Sequence, residues 1–209
     1  MSLVKSKEEI LSKYLPESSI EKVFDLMNKY KFHFKITRSR TSKLGDYTSP
    51  ARDKGHRVTV NHDLNQYLFL ITLIHEIAHL VVWEKFKNKI QPHGKEWKEE
   101  FKILLNPFLS NGVFPDDVYL ALANYIRNPA AGSCSDQNLL RVLRKYNNKS
   151  EHLHLEDIPE NSVFKLKNGR LFIKGKKLRK RFKCVELRTK HNYLISALAE
   201  VTIENNQLI

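Results

Sequence analysis

Gln66-Tyr67-Leu68-Phe69-Leu70-Ile71-Thr72-Leu73-Ile74-His75-Glu76-Ile77-Ala78-His79-Leu80-Val81-Val82-Trp83-Glu84-Lys85-Phe86 is the stretch on which the reading of this chain turns. Apolar residues at 67, 70, 71, 74, 77, 78, 81 and 82 recur at the three-and-four spacing of a buried helix. Within that helix His75 and His79 stand four apart, so they share one face and can share one metal ion. Glu76 sits between them, able to serve a water on the ion without being a ligand itself. Two histidines and a glutamate buried in so apolar a stretch are costly unless a metal or partners compensate, which favours a metal site over a plain core helix.

A catalytic zinc takes three protein ligands and keeps a fourth position open. His93, in Gln91-Pro92-His93-Gly94-Lys95-Glu96-Trp97, follows His79 by fourteen residues. That is enough chain to finish one helix, turn at Pro92 and start a second helix at about Gly94 to Leu105, and the Pro and Gly beside His93 are turn signals. His56 and His62, which flank an expected strand Arg57–Asn61, and Glu84 and Glu96 are the competing third ligands; ligand type and placement favour His93.

These residues resemble the SprT-like family of zinc metallopeptidases, which includes the Spartan proteases, whose core reads H-E-x-x-H and then, after a loop, H-G-x-x-W/F. Here the pattern is His75, Glu76, His79, then His93, Gly94 and Trp97. The likeness extends upstream to a strand ending in Asn (Val58-Thr59-Val60-Asn61). Downstream it runs through Asn128-Pro129-Ala130-Ala131-Gly132-Ser133-Cys134-Ser135-Asp136 to a final basic β segment. The resemblance implies that His75, His79 and His93 hold one zinc ion per chain, that Glu76 is the general base, and that the reaction is hydrolysis of peptide bonds. One departure stands out, since many members end in a zinc ribbon built from four Cys or from Cys plus His. This chain has only Cys134 and Cys184, in no C-x-x-C pair, so a second, structural zinc is not expected and both thiols are read as small buried hydrophobes.

A chain of 209 residues with 41% hydrophobic content can bury one sizeable α+β domain with a small appendage. Thr72 and then His75-Glu76 interrupt the longest apolar run, and Lys5, Lys7, Glu8 and Glu9 do not open a signal peptide, so neither a membrane span nor secretion is expected and the location expected is cytoplasmic. Residues 4–31 read as two helices parted near Leu15-Pro16. Residues 32–61 read as two strands, Phe32–Ile36 and Arg57–Asn61, separated by a polar loop from Thr41 to Gly55. Two further helices are expected at Asp116–Ile126 and Ser135–Tyr146. After a polar linker around Ser150–Asn161, alternation in Ser162–Leu166, the Asn168-Gly169 hairpin signal, and the runs Arg170–Ile173, Arg179–Leu187 and Tyr193–Ile203 predict three or four antiparallel strands. The fold class is therefore α+β. A zincin-like catalytic domain is expected over residues 1–150, and a small antiparallel β module without a Cys ribbon over residues 151–209.

Charge divides along the same line. Residues 161–209 hold 12 Lys and Arg against 3 Asp and Glu, a net +9 of the chain's +13. Lys174, Lys176, Lys177, Arg179, Lys180, Arg181 and Lys183 crowd ten positions across a glycine-containing turn, either a solvated face or a phosphate-binding one. Together with the family resemblance, the charge points to DNA as a partner beside a protein substrate, and to association with the nucleoid. Phe172, Phe182 and Tyr193 lie among the charges, either as the core of the small sheet or as rings for unpaired bases. Two other readings differ in class: a metal-dependent hydrolase of the YgjP-like type, which shares the motif and a later His before an aromatic, and a non-catalytic nucleic-acid-binding protein with a structural metal. The first lacks a use for the basic module, and the second lacks a use for a base that is not a ligand.

Overall fold

The computed structural model describes residues 7–204 except 41, 53, 88, 110–111, 128, 130–135 and 148–152. Cys134 and most of the Asn128–Asp136 stretch lie outside the described residues, as does the start of the expected linker at Ser150. The chain divides into two compact units, residues 1–148 and 149–209, and is α+β with one sheet in each.

The first unit is built around α3 (Gln66–Phe86). Asn65 caps it, its side-chain oxygen accepting from the N–H groups of Tyr67 and Leu68 at 3.2 and 3.0 Å, while its amide donates to Leu143 O at 2.9 Å. The periodicity indicates one buried stripe, but the helix is covered on nearly every side: all residues from Phe69 to Ala78 and from Leu80 to Val82 are buried. Each fully buried Leu, Ile or Phe contributes about 1.5–3 kcal/mol, so this helix anchors the unit. By length and composition α3 would also suffice to cross a membrane, but 78% of its most apolar window is buried in the core of this unit. Before it come α1 (Lys7–Leu11) and α2 (Ile20–Tyr30). After it come α4 (Lys95–Leu105), which buries Trp97, Phe101, Leu104 and Leu105 along one face, and α5 (Asp116–Arg127), which buries Val118, Leu122 and Tyr125. The last helix, α6 (Gln137–Leu143), is shorter than expected because the Asp136 side chain caps it at 2.9 Å from two N–H groups and residues 144–146 tighten into a 3-10 turn.

The sheet of this unit differs from the sequence reading in one respect that bears on function. Its strands are β1 (His33–Thr37), β2 (Gly45–Thr48) and β3 (Arg57–Asn61), in the order β1-β3-β2, with β1 parallel and β2 antiparallel to β3. Strand β2 falls in the segment read as a polar loop, and it displaces β3 from the edge to the centre. Asn61 holds the connection in place. Its side-chain oxygen accepts from Arg40 Nε at 2.8 Å and from Thr37 Oγ1 at 3.3 Å, and its amide donates to Lys43 O at 2.9 Å and Arg40 O at 3.3 Å.

Among its described residues the second unit has six strands rather than three or four: β4 (Leu153–His154), β5 (Val163–Leu166), β6 (Leu171–Leu178), β7 (Arg181–Glu186), β8 (Asn192–Ser196) and β9 (Glu200–Ile203), ordered β4-β9-β5-β6-β7-β8 and antiparallel throughout. The last expected run splits into β8 and β9. Gly169, at φ +81, closes the first hairpin as its Asn-Gly signal predicts. Gly175 is not in a turn. It lies inside β6 at a register shift between Lys174 and Lys177, where a Cβ would stand 2.3 Å from Lys183 O, and the reversal falls at Arg179-Lys180. Leu155, Ile158, Phe164, Phe172, Phe182, Cys184, Ala197 and Val201 form the core of this unit.

Candidate metal centre

His75 and His79 face the same way one helical turn apart, and a different element brings the third histidine. Between α3 and α4 the chain reverses at Gln91–Gly94, where Gly94 N–H donates to Gln91 O at 3.1 Å. Pro92 in the second place and a positive φ of 60° at His93 in the third give this reversal the pattern of a type II turn. Left-handed backbone at a non-glycine residue costs energy and is kept where position matters. Here it delivers the His93 ring to α3. The Nε2 atoms of His75, His79 and His93 stand 3.2, 2.9 and 3.2 Å from one another. Trp97, fully buried and stacked on Phe101, packs against all three rings at centroid distances of 4.5, 5.4 and 4.9 Å.

Three ring nitrogens converging this closely cannot all satisfy one another by hydrogen bonds, whereas one cation accepts all three lone pairs. Two zinc–nitrogen bonds of about 2.0–2.1 Å at a tetrahedral angle hold their nitrogens roughly 3.3–3.4 Å apart, so the triangle fits such an ion after a small expansion. Electrostatics agree. Burial, and then the neighbouring rings, push the His75 pKa down to about 2 and that of His79 to about 4, and burial lowers His93. The rings are therefore neutral at physiological pH, the form that binds metal. Of the competing ligands, His56 is engaged elsewhere, its Nδ1 2.8 Å from Tyr47 Oη and its Nε2 2.5 Å from Glu84 Oε1, and His62 is exposed. Among the described residues His75, His79 and His93 form a group that could hold a metal ion.

Glu76 is 4% exposed and is not part of the converging group of histidines; its carboxylate lies against β2. A Cβ on Gly45 would stand 2.7 Å from Glu76 Oε1, and Tyr47 N–H bonds the same carboxylate. Burial, and next the Asp46 charge, push the Glu76 pKa up to about 8, while Arg40, Lys43 and the Tyr47 N–H pull it down. Arg40 Nη2 is buried without a hydrogen-bond partner. Gly45 and Tyr47 go unread in the sequence because nothing in the run Thr41–Gly55 alternates, and Arg40 because it stands just before that run; the glycine two residues after Lys43 is the one available signal.

The seven cations of the C-terminal module do not stay together. Lys174 is buried at 4% exposure, its Nζ donating to Ile158 O at 2.6 Å and lying 4.1 Å from the Phe182 ring centroid, which removes it from any phosphate-binding face. Lys176, Lys177, Arg179, Lys180, Arg181 and Lys183 are exposed.

Comparison with known proteins gives a short but specific likeness. The model of the SprT-like family matches residues 17–109. Proteins named Protein SprT from Cronobacter sakazakii and Erwinia tasmaniensis are each 51% identical over 35 residues, which is 16% of this chain and 20% of theirs. The chain thus spans about a fifth of the length of the curated relatives it matches. No solved structure matches. The stretch that carries the sheet, the three histidines and Glu76, residues 17–109, is thus the part of the chain that is similar to the SprT-like family.

Proposed function

We propose that this protein is a zinc metalloendopeptidase with a zincin-like core, that it hydrolyses peptide bonds of DNA-associated or DNA-crosslinked proteins, and that it works in the cytoplasm at the nucleoid. The observation that supports hydrolysis is the place of Glu76: a buried carboxylate on the ligand helix that is not itself among the converging ligands and that touches the open edge of a strand. A purely structural site has no use for such a group.

His75, His79 and His93 would hold the ion. When bound, zinc supplies Lewis acidity, polarising a scissile carbonyl and making water acidic enough to ionise near neutral pH. The positive charge of a bound ion would favour the ionised carboxylate against the burial that raises its pKa, and in that form Glu76 would take a proton from the attacking water on a carboxylate oxygen and return it to the departing amine nitrogen. Substrate alignment falls to β2. Asn61 N–H donates to Leu44 O at 2.9 Å, so by the alternation of an antiparallel ladder Asp46 and Thr48 turn their backbone groups to β3, while Gly45 and Tyr47 turn theirs outward. Tyr47 N–H goes to Glu76, which leaves the Gly45 groups and the Tyr47 carbonyl to pair with an extended peptide laid beside the base. The +9 charge of residues 161–209 and the six exposed cations around Arg179-Lys180 support contact with DNA phosphates.

The test is zinc content together with cleavage of an unstructured protein substrate, with and without DNA, in the parent and in Glu76→Gln. The variant is expected to keep its metal and fold while cleavage falls by a factor of about a hundred or more, the scale of losing a general base. Parent-like cleavage by Glu76→Gln would refute the mechanism.

A further inference from the structure

The aromatic residues among the C-terminal charges are inside the module or covered. Phe172 and Phe182 belong to the core, and the Arg170 guanidinium lies 4.5 Å from the Tyr193 ring centroid. Proteins that hold single strands stack successive bases on bare rings. These three rings are not bare, so the one feature of the sequence that favoured unpaired bases does not carry over to the surface.

What the surface does present is set by register. In the β6–β7–β8 ribbon Leu178 pairs with Arg181, Arg181 with Ser196, and Lys183 with Leu194. Directly opposed residues share a face, and the intervening Phe182 and Cys184 point into the core, so Leu178, Arg181, Lys183, Leu194 and Ser196 all look outward. Leu178 is 50% and Leu194 54% exposed. The register shift at Gly175, whose Cα approaches Lys183 O too closely for any side chain, adds twist to the ribbon beyond it, and Arg179-Lys180 caps the end. A face that served only to keep the protein solvated would gain nothing from two leucines set among its cations.

A charged polymer with an apolar floor between two rows of phosphate matches this pattern, and double-stranded nucleic acid is that polymer. Sheet-type readers lay their strands in a duplex groove, and leucine is among the side chains that groove-binding proteins press against base steps. We propose that the outer face of β6, β7 and β8 binds a groove of duplex DNA, with Leu178 and Leu194 against the groove floor and Lys176, Arg179, Lys180, Arg181 and Lys183 on the flanking phosphates; Lys177, opposite Phe182, turns to the other face. The inference rests on the DNA contact proposed above and adds its form: duplex over single strand, by apolar contact in a groove rather than by stacking.

The full chain is titrated against a fluorescent 20-base-pair duplex, the matching single strand, and vesicles containing phosphatidylglycerol, each at two salt concentrations. The variants are Leu178→Ser/Leu194→Ser and Arg179→Ala/Lys180→Ala/Arg181→Ala. The parent is expected to prefer duplex. The leucine variant should lose roughly tenfold or more in duplex affinity, the order expected for lost leucine burial, with an unchanged salt slope. The triple variant should flatten that slope by up to about three units. Equal binding of single strand and duplex by the parent, or undiminished duplex affinity in the leucine variant, overturns the groove while leaving the phosphate contacts standing. No binding of either nucleic acid by the parent at low salt overturns the DNA reading itself. Leucine-dependent vesicle binding without duplex preference assigns the face to an anionic membrane and overturns the groove as well.

Discussion

Replacing Gly45 with alanine probes the contact on which the proposed catalytic arrangement depends. A Cβ there would lie 2.7 Å from Glu76 Oε1, 2.7 Å from Thr72 Cγ2 and 2.8 Å from Glu76 Cγ, where ordinary contact begins at 3.4 Å. About 0.7 Å of overlap at three atoms must be relieved, and the wall on the other side is a fully buried helix. Either β2 lifts from α3 or the Glu76 side chain turns away. Overpacking of this kind costs about 1–3 kcal/mol, and at about 2–4 °C per kcal/mol for a domain of this size the Tm should fall by roughly 2–12 °C. Cleavage suffers more than stability, since misplacing a reacting group by about 1 Å can cost a factor of a hundred. A fall of ten- to a hundredfold in kcat is expected with the metal retained, because no histidine moves.

The assay is turnover on an unstructured protein substrate, alongside metal content and thermal unfolding, in a cycle with Glu76→Ala. That second change removes Oε1 and Cγ and leaves only the Thr72 methyl in the way, so Gly45→Ala should cost less stability in the Glu76→Ala background than in the parent. Parent-like turnover and Tm in Gly45→Ala, or an undiminished cost in the Glu76→Ala background, would refute the packing of β2 on the base.

His79→Ala and His93→Ala should each lose the ion that the parent is expected to carry at about one per chain; stoichiometric metal in either variant, measured by atomic emission, would reject the ligand set. Asn61→Ala leaves the carbonyls of Arg40 and Lys43 and the Arg40 Nε unpaired, so the urea midpoint should fall by an amount equivalent to about 1–3 kcal/mol, and an unmoved midpoint would deny Asn61 its role as the hub of the loop. Arg170 Nε, 2.7 Å from the buried Glu186, holds the Glu186 carboxyl down to about 2 with help from Thr189. A folded pKa below the unfolded value of about 4.3 means the pair stabilises the β module above that pH and loses its contribution as pH falls toward 2. Acid unfolding of the module, followed by the Tyr193 ring signals in NMR because Trp83 and Trp97 are both in the other unit, should lose this component in Arg170→Met; an unchanged acid profile would reject it.

The metal helix, the turn at Pro92 and the third histidine are legible in sequence because each is local. Spacing within a helix fixes the face that His75 and His79 share, and the Pro-His-Gly punctuation fixes the turn that holds His93 just ahead of the next helix. Strand β2 is not legible in that way. Gly45-Asp46-Tyr47-Thr48 has neither the alternation nor the β-branched content of a strand that forms on its own merits. It is a strand because β3 lies beside it and α3 beneath it, and its glycine is required by the distance to a residue thirty-one positions away.

Lys174 shows a case where the sequence held the signal and charge counting hid it. Phe172 and Lys174 are two apart on one strand, and Phe182 and Cys184 two apart on the next, so the alternation that puts three of them in the core puts the fourth there too. A lysine at a core position needs acceptors for its ammonium, and Ile158 O and Glu156 O, at 2.6 and 3.5 Å, provide them from the segment preceding β5. Its burial lowers its pKa, with desolvation the leading cause, as expected of a cation removed from water. A basic run is thus a face only after the strand period has been applied to it. Once applied, the period sets Lys174 in the core, turns Lys177 to the side of Phe182 and leaves Leu178 and Leu194 beside Arg181 and Lys183, and that separation is what gives the C-terminal module a specific ligand chemistry to test.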